Sequence, residues 1–178
     1  MPVGSIVLAE HQSAGRGRLD RRWDAPPGTA LLVSFVLPPN PVLSLAAGVA
    51  AAEACGEEVR LKWPNDLLLG DRKLGGILVE AKSDKAICGI GINLRWAPEG
   101  AAQLNLPREV VFSRLREKVD AWTTASADVV LARWRELSAT LGRRVRIDGV
   151  EGMAEAIGPR GELVVDGVSY AAGSVTHL

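Results

Sequence analysis

The chain has 178 residues, 47% of them hydrophobic, which suits one main domain with a packed core and leaves room for a small second module. Its 21 Lys and Arg residues balance 21 Asp and Glu residues, which excludes a global positive field for holding nucleic acid. No run approaches membrane-spanning length, and no secretory signal is visible. Cys55 and Cys88 lack the spacing of metal ligands. We therefore expect a cytoplasmic protein with two reduced, buried thiols and no nucleic-acid or membrane partner.

The first predicted element is a short strand over residues 6–10, followed by the segment AGRGRLDRRW at 14–23. Two glycines and four arginines in that segment cannot form a core element. Glycines let backbone N–H groups turn inward, and guanidinium groups offer paired donors to anions. The segment predicts a mobile loop that binds anionic groups. The alternatives are a merely solvated loop and an RGG-like nucleic-acid segment, and the balanced charge argues against the latter.

Two structural elements follow the loop. Residues 29–37, TALLVSFVL, are rich in β-branched and apolar side chains and predict a buried strand. Residues 43–55 are rich in alanine and carry apolar positions at helical spacing before Gly56. They predict a helix whose small side chains let it lie close to a sheet.

The central stretch, residues 61–80, reads LKWPNDLLLGDRKLGGILVE and predicts a chemical site built on a hairpin. Pro64 stops ladder pairing, and Asn65 and Asp66 supply a polar turn. Lys73 begins the return strand, directly before the glycine pair at 75–76. Adjacent glycines in a strand let another group approach the backbone. The alternative is an ordinary exposed hairpin with a solvated lysine, but such a hairpin needs no Trp-Pro-Asn-Asp sequence.

The rest of the chain predicts one more sheet strand, two helices and a β module. Residues 86–94, AICGIGINL, place Gly89 and Gly91 on one strand face, which leaves room for a flat ligand. Two amphipathic helices follow Pro107, and their tryptophans are interpreted as core residues. Residues 143–178 alternate in short strands, with turn signals such as Asp-Gly.

Three motifs together resemble the bacterial biotin protein ligases: Gln12 with GRGR at 15–18, KWPND at 62–66 and RKLGGIL at 72–78. The resemblance implies an α+β fold. A mixed, mostly antiparallel sheet packed by helices would form a catalytic domain over 1–141, and a small SH3-like β-barrel would occupy 142–178. The chain departs from the family pattern at residues 19–20, where Leu-Asp replaces a further Gly and a basic residue.

The resemblance also implies the reaction. Biotin and ATP would give biotinyl-5′-AMP and pyrophosphate with Mg²⁺, and a lysine of a biotin carboxyl carrier protein would then attack the adenylate. The carrier would belong to acetyl-CoA carboxylase or a related carboxylase, and a homodimer is left open.

Specific residues match the family's motifs. Lys73 and Arg18 are the implied catalytic residues, and no metal ligand is implied. The implied biotin-binding residues are Gln12, Gly15, Arg16, Gly17, Arg18, Lys73, Gly75, Gly76, Ile77 and Gly89. The implied ATP- and adenylate-binding residues are Trp23, Lys62, Asn65 and Asn93.

Two other functions fit part of this pattern. A lipoyl or octanoyl transferase has a similar fold, but it does not predict GRGR and KWPND together. A non-catalytic biotin- or adenylate-binding module would keep the ligands and transfer nothing. The chain shows no helix-turn-helix before residue 6, and residues 1–5 do not contain the family's Ser-Thr-Asn motif. The resemblance therefore implies weakened biotin binding, either from a start codon placed too late or in a truncated member.

Overall fold

A computed structural model describes residues 1–19 and 21–178, which form two antiparallel sheets and three helices. The strands of the larger sheet pair in the order β1-β2-β6-β5-β4-β3. They are β1 (Ile6–Ala9), β2 (Ala30–Leu37), β3 (Val59–Lys62), β4 (Asp66–Leu69), β5 (Arg72–Ala81) and β6 (Ala86–Asn93). The helices are α1 (Leu43–Cys55), α2 (Arg108–Thr124) and α3 (Ala127–Leu137). The predicted α+β class is confirmed, and no helix of the described residues is long and apolar enough to cross a membrane.

The predicted helix over 43–55 is confirmed as α1, which lies between the large sheet and the pair α2 and α3. This helix is buried almost all round, and alanines such as Ala46, Ala47 and Ala50 are fully enclosed. A helix with neighbours on every side has no polar face to present to water. Trp134 of α3 is buried in the same core, and the Trp122 indole of α2 donates to Glu53 on α1. The interpretation of these tryptophans as structural residues is confirmed.

Successive side chains of β2 point alternately to the two faces of the large sheet. Leu31, Val33 and Phe35 join the core on the helix side. Leu32 belongs to a small cluster on the other face, together with Trp23. Because side chains alternate across a strand, the intervening Ser34 lies on the same face as Leu32. This second face carries the candidate site.

The central stretch forms a three-stranded meander, β3-β4-β5, rather than a single hairpin. Its register contains a bulge: Gly75 pairs with Leu67, but Lys73 pairs with Leu68, so Leu74 is the extra residue. A bulge reverses the side to which the following side chains point. Without it, Lys73 would share the helix-side face of Gly75 and Ile77.

The C-terminal residues form the second sheet, whose strands are β7 (Arg144–Ile147), β8 (Val150–Ile157), β9 (Leu163–Val165), β10 (Val168–Tyr170) and β11 (Val175–His177). They pair antiparallel in the order β10-β9-β8-β7-β11. Asp148 and Asp166 adopt positive φ angles of 48° and 46°, and each precedes a glycine that also has positive φ. Two successive positive φ angles are typical of tight hairpin turns. The predicted turn signals are confirmed at both positions.

Both cysteines are free and buried, as expected. Burial raises the pKa of the Cys55 thiol and of the Cys88 thiol to about 12. A thiol of such a high pKa stays protonated at neutral pH and is a poor nucleophile.

Gly75 has no room for a side chain, because a Cβ atom there would lie 2.5 Å from the Gly91 carbonyl oxygen and 3.0 Å from Leu67. Overpacking of this kind costs about 1–3 kcal/mol, so we expect Gly75→Ala to lower the free energy of unfolding by that amount. Gly89→Ala is the matched control, since its Cβ would meet nothing closer than 3.7 Å. Urea unfolding of the two variants measures the difference. Equal stability would show that the sheet relaxes around the added methyl group.

Candidate functional site

A cleft of about 590 Å³ lies on the sheet face opposite the helices. The register explains its floor: Gly91 of β6 lies between Leu32 of β2 and Gly76 of β5, and the next cross-strand row places Gly89 between Ser34 and Leu78. Gly76, Gly89 and Gly91 therefore leave the middle of this strand surface without side chains. The open volume follows from this absence of side chains on the floor.

The arginine-rich segment forms a narrow loop across the cleft. The Gly17 amide donates to the Arg21 carbonyl at 2.7 Å, and the Trp23 amide donates to the Gly15 carbonyl at 3.0 Å. A Cβ atom at Gly15 would collide with the Trp23 carbonyl oxygen, so this glycine permits the crossing. The predicted loop is confirmed as a loop, and its mobility stays a prediction. Asp20, part of the departure from the family pattern, lies outside the described residues.

Two arginines of the loop reach the central meander. The Arg16 guanidinium contacts the Glu80 carboxylate at 2.7 Å, and Arg18 Nη1 donates to Asn65 Oδ1 at 3.3 Å. Partial burial lowers the pKa of the Arg18 guanidinium, and the Asp66 carboxylate opposes that shift. The loop is therefore held over the cleft by contacts that an anionic ligand can replace.

Trp23 occupies part of the space that the glycine face was expected to offer a ligand. A Cβ atom at Gly91 would lie 2.7 Å from the Trp23 ring, so the indole rests directly on this glycine. The Trp23 Nε1 atom is buried without a hydrogen-bond partner, and the Lys73 ammonium lies 5.9 Å from the ring centroid. The expectation that Gly89 and Gly91 both leave room for a ligand is thus corrected. The Trp23 indole packs on Gly91, and only the space at Gly89 remains open.

Lys73 projects into the cleft because of the bulge at Leu74. Its Nζ atom lies 2.6 Å from Asp66 Oδ1, at the end of the neighbouring strand. A Cβ atom at Gly76 would lie 3.6 Å from both of these atoms. The ammonium is therefore compensated by one carboxylate and stands beside a stretch of bare backbone that a ligand can approach.

Asn65 ties the turn before β4 to β5. Its Nδ2 atom donates to the Ile77 carbonyl at 2.8 Å, and its own carbonyl accepts from the Ile77 amide at 2.9 Å. Nearby, Lys62 is half-buried, and burial lowers the pKa of its ammonium. The Asp66 carboxylate raises that pKa again, while Lys73 and Arg21 lower it further. Several cations thus share one cleft with few carboxylates, an arrangement that favours a polyanionic ligand.

The structure brings most of the predicted site residues together. Twelve of the fourteen line the cleft: Gln12, Arg16, Gly17, Arg18, Trp23, Lys62, Asn65, Lys73, Gly76, Ile77, Gly89 and Asn93. Gly15 and Gly75 do not line it; their close contacts shape the loop and the floor beside it. Asn93 is 2% exposed, and its Nδ2 atom is already bound to the Ala102 carbonyl.

Sequence reasoning missed several lining residues. Leu32 and Ser34 of β2 face the cleft, and so does Asp66. The isolated serine in an apolar strand was a usable signal for that face. Residues 173–175, which lead into β11 of the C-terminal sheet, also line the cleft, and the Arg21 guanidinium approaches Ser174 Oγ at 3.4 Å. No local pattern predicts this long-range contact.

Comparisons with known proteins show the family and the fold of the chain. Residues 1–95 match the model of the biotin/lipoate A/B protein ligase family. The biotin–[acetyl-CoA-carboxylase] ligase of Mycobacterium tuberculosis is 34% identical over 98% of this chain and 79% of that protein. The bifunctional ligase/repressor BirA of Escherichia coli is 31% identical over 92% of this chain, which spans 62% of that relative. The biotin protein ligase from Aquifex aeolicus in complex with biotin and ATP superposes with a TM-score of 0.81 at 26% identity, covering 100% of this chain and 90% of that one.

Proposed function

The chain belongs to the biotin/lipoate A/B protein ligase family, and we propose that it is an ATP-dependent biotin protein ligase. The observation that carries the proposal is the convergence of Lys73, Arg16 and Arg18 on one glycine-floored cleft. Two of the similar proteins described above support the choice of substrates, since one is named as a ligase of biotin and the other was solved with biotin and ATP.

In the first step, a carboxylate oxygen of biotin attacks the α-phosphorus of ATP. The bond from phosphorus to the bridging oxygen breaks, and pyrophosphate leaves with the electron pair. Two anions must approach each other, so fixed cations that offset their repulsion lower the barrier. Lys73 is the proposed bridge between the biotin carboxylate and the α-phosphate, since its ammonium stands over the open backbone at Gly76. Arg18 would approach the phosphates from the loop.

In this proposal, biotin and the nucleotide bind at different ends of the cleft. Biotin would lie over Gly76, Gly89 and the backbone of Ile77, whose side chain points to the core, with Gln12 at its polar end. The nucleotide would lie toward Lys62, Asn65, Asn93 and the partly buried Trp23 indole, which would stack on adenine. Gly15, Arg16 and Gly17 would close the loop over the biotin end, and Gly75 would let the strands approach beneath it.

In this proposal, Mg²⁺ binds to the protein as its complex with ATP. Among the described residues, no group of three His, Cys, Asp or Glu side chains could hold a metal ion. The Asp66 carboxylate, which lines the cleft, is already paired with Lys73. Mg²⁺ is commonly bound through substrate phosphates with few protein ligands, which fits this donor set.

In the second step, the ε-amino group of an acceptor lysine attacks the acyl carbon of biotinyl-5′-AMP, AMP leaves, and the amine loses its proton. We propose a biotin carboxyl carrier protein of acetyl-CoA carboxylase or a related carboxylase as the acceptor, because the M. tuberculosis relative is named for that carboxylase. A cytoplasmic location accords with such a partner.

The domain division is part of the proposal. Residues 1–141 would form the catalytic domain, and residues 142–178 would form an SH3-like β module. The five short antiparallel strands after Gly142 and their tight Asp-Gly turns support this division. Residues 173–175 line the cleft, so the module would also complete the catalytic site.

One assay tests the function. The purified chain is mixed with biotin, MgATP and a carrier domain, and the mass of the carrier and the release of pyrophosphate are followed. We expect the carrier to gain one biotinyl group. Parallel reactions contain octanoate or lipoate in place of biotin. Modification of the carrier only in those reactions would favour the acyltransferase, and ligand binding without modification would favour a binding module.

The loop is expected to close on the adenylate. Arg16 and Arg18 are held by single contacts to Glu80 and Asn65, which an anionic ligand can replace with stronger ones. We therefore expect biotinyl-5′-AMP to protect the loop from trypsin, which cleaves after arginine. Mass spectrometry of the fragments identifies cleavage after Arg16 or Arg18, and cleavage in α2 after Arg116 serves as the internal control. Unchanged cleavage in the loop would contradict its role as a lid.

A further inference from the structure

Thr140 is a buried polar residue that links the turn at residues 63–66 to the C-terminal sheet. Its side chain is fully enclosed, between the end of α3 and the start of β7. Thr140 Oγ1 accepts a hydrogen bond from the Trp63 amide at 3.0 Å and lies 3.1 Å from His177 Nε2. One hydroxyl therefore joins the residue before Pro64 to the last strand of the chain.

The chemistry of the three groups decides which atom donates in each of these two hydrogen bonds. The Trp63 amide can only donate, so the Thr140 oxygen accepts from it. The hydroxyl's own proton then needs an acceptor, and His177 Nε2 is within reach. This requires a neutral imidazole with its proton on Nδ1. Burial, together with Lys62 and Arg143, lowers the pKa of His177 to about 4, in agreement with a neutral ring at physiological pH.

Trp63 is held at its other end as well. The side chain is 1% exposed, and its indole Nε1 donates to the Gly161 carbonyl at 2.9 Å. Gly161 belongs to the turn between β8 and β9, and next to Trp63 the Leu61 carbonyl accepts from the Ala139 amide at 2.8 Å. The end of β3 is thus fixed by three hydrogen bonds to Thr140, Gly161 and Ala139, and none of these three residues lines the cleft.

The residues that these bonds fix are adjacent to the proposed chemistry. Lys62 lies directly before Trp63, and Asn65 and Asp66 follow within three residues. Asp66 pairs with Lys73, and Asn65 accepts from Arg18. A shift of the Trp63 backbone would therefore move the partners of both proposed catalytic cations.

We propose that Thr140 and His177 are positioning residues of the ligase, which hold the turn at 63–66 in the geometry required for adenylate formation. This role rests on the proposed function, but neither side chain lines the cleft or contacts a substrate. The C-terminal sheet then acts on the reaction from behind the turn, through buried hydrogen bonds to Trp63.

The test compares Thr140→Val, which keeps the shape and removes the hydroxyl, with Thr140→Ser, which restores it. We expect Thr140→Val to lower kcat for biotinyl-5′-AMP formation by about 10- to 100-fold, because a small displacement of reacting groups costs that much. The KM for biotin should stay within about twofold, since its contacts remain. Thr140→Ser should recover the wild-type kcat. Thr176→Val, on an exposed position of the same strand as His177, is the matched control.

Hydrogen exchange of residues 61–66 gives a readout independent of catalysis. We expect faster exchange in Thr140→Val, and wild-type exchange in Thr140→Ser and Thr176→Val. His177→Phe, at a half-buried position, should change kcat and exchange in the same direction, so it decides the question if Thr140→Val does not fold. Wild-type kcat and exchange in a folded Thr140→Val or His177→Phe variant would overturn the proposal. A wild-type chain that forms no biotinyl-5′-AMP would defeat the proposed function instead, and exchange alone would then decide the positioning role.

Discussion

Replacement of Lys73 by alanine is expected to reduce biotinyl-5′-AMP formation by at least about 100-fold, which is the usual cost of removing a group that stabilises transition-state charge. The bulge at Leu74 directs this ammonium into the cleft, where Asp66 is its only carboxylate partner among the described residues. Without Lys73, the biotin carboxylate and the α-phosphate would repel each other with one fixed cation fewer. Pyrophosphate release under saturating biotin and ATP measures the effect.

The matched control is Lys82→Ala, because Lys82 is an exposed residue just beyond β5 and lies outside the cleft. This variant should retain the wild-type rate. Circular dichroism of Lys73→Ala should be unchanged, since its ion pair with Asp66 is partly exposed and such pairs contribute at most about 1 kcal/mol to stability. Wild-type pyrophosphate release by a folded Lys73→Ala protein would remove Lys73 from the mechanism.

Arg18→Ala is the second variant for which we expect a large loss. The guanidinium is partly buried and contacts Asn65 from the loop, so it can reach phosphate oxygens at the nucleotide end of the cleft. Removing one charge-stabilising donor should lower kcat/KM for ATP by about 100-fold. Arg18→Lys should recover only part of the rate, because an ammonium lacks the forked donor geometry of guanidinium.

Initial rates at limiting ATP provide the measurement for Arg18. The control is Arg116→Ala, since Arg116 is exposed on α2, on the helix side of the sheet. If Arg18→Ala were to raise only the KM for biotin and leave kcat/KM for ATP intact, Arg18 would belong to the biotin end of the site.

Local patterns were sufficient to predict most elements of the fold. The β-branched and apolar run of β2, the alanine spacing in α1 and the Asp-Gly turns each depend on a few neighbouring residues, and the structure confirms all three. Three short motifs contain eleven of the fourteen candidate residues, and twelve of the fourteen line one cleft. In those motifs, the residue types required by the chemistry stand close together in sequence.

Features that depend on register or on distant contacts were not predictable. The bulge that turns Lys73 toward the cleft appears only in the pairing of β4 with β5. The packing of Trp23 on Gly91 joins residues far apart in sequence, so a glycine face that suited a ligand also suited a side chain of the protein. The contribution of residues 173–175 likewise depends on how the C-terminal sheet docks.

The burial of Cys55 and Cys88 gives this protein a surface without reactive thiols across the described residues. A maleimide reagent therefore has no native target while the fold is intact, and alkylation would report global unfolding. Ser13 is exposed at the start of the loop, so Ser13→Cys would introduce a single accessible attachment point. A fluorophore or spin label there would follow the loop in solution without replacing any other residue.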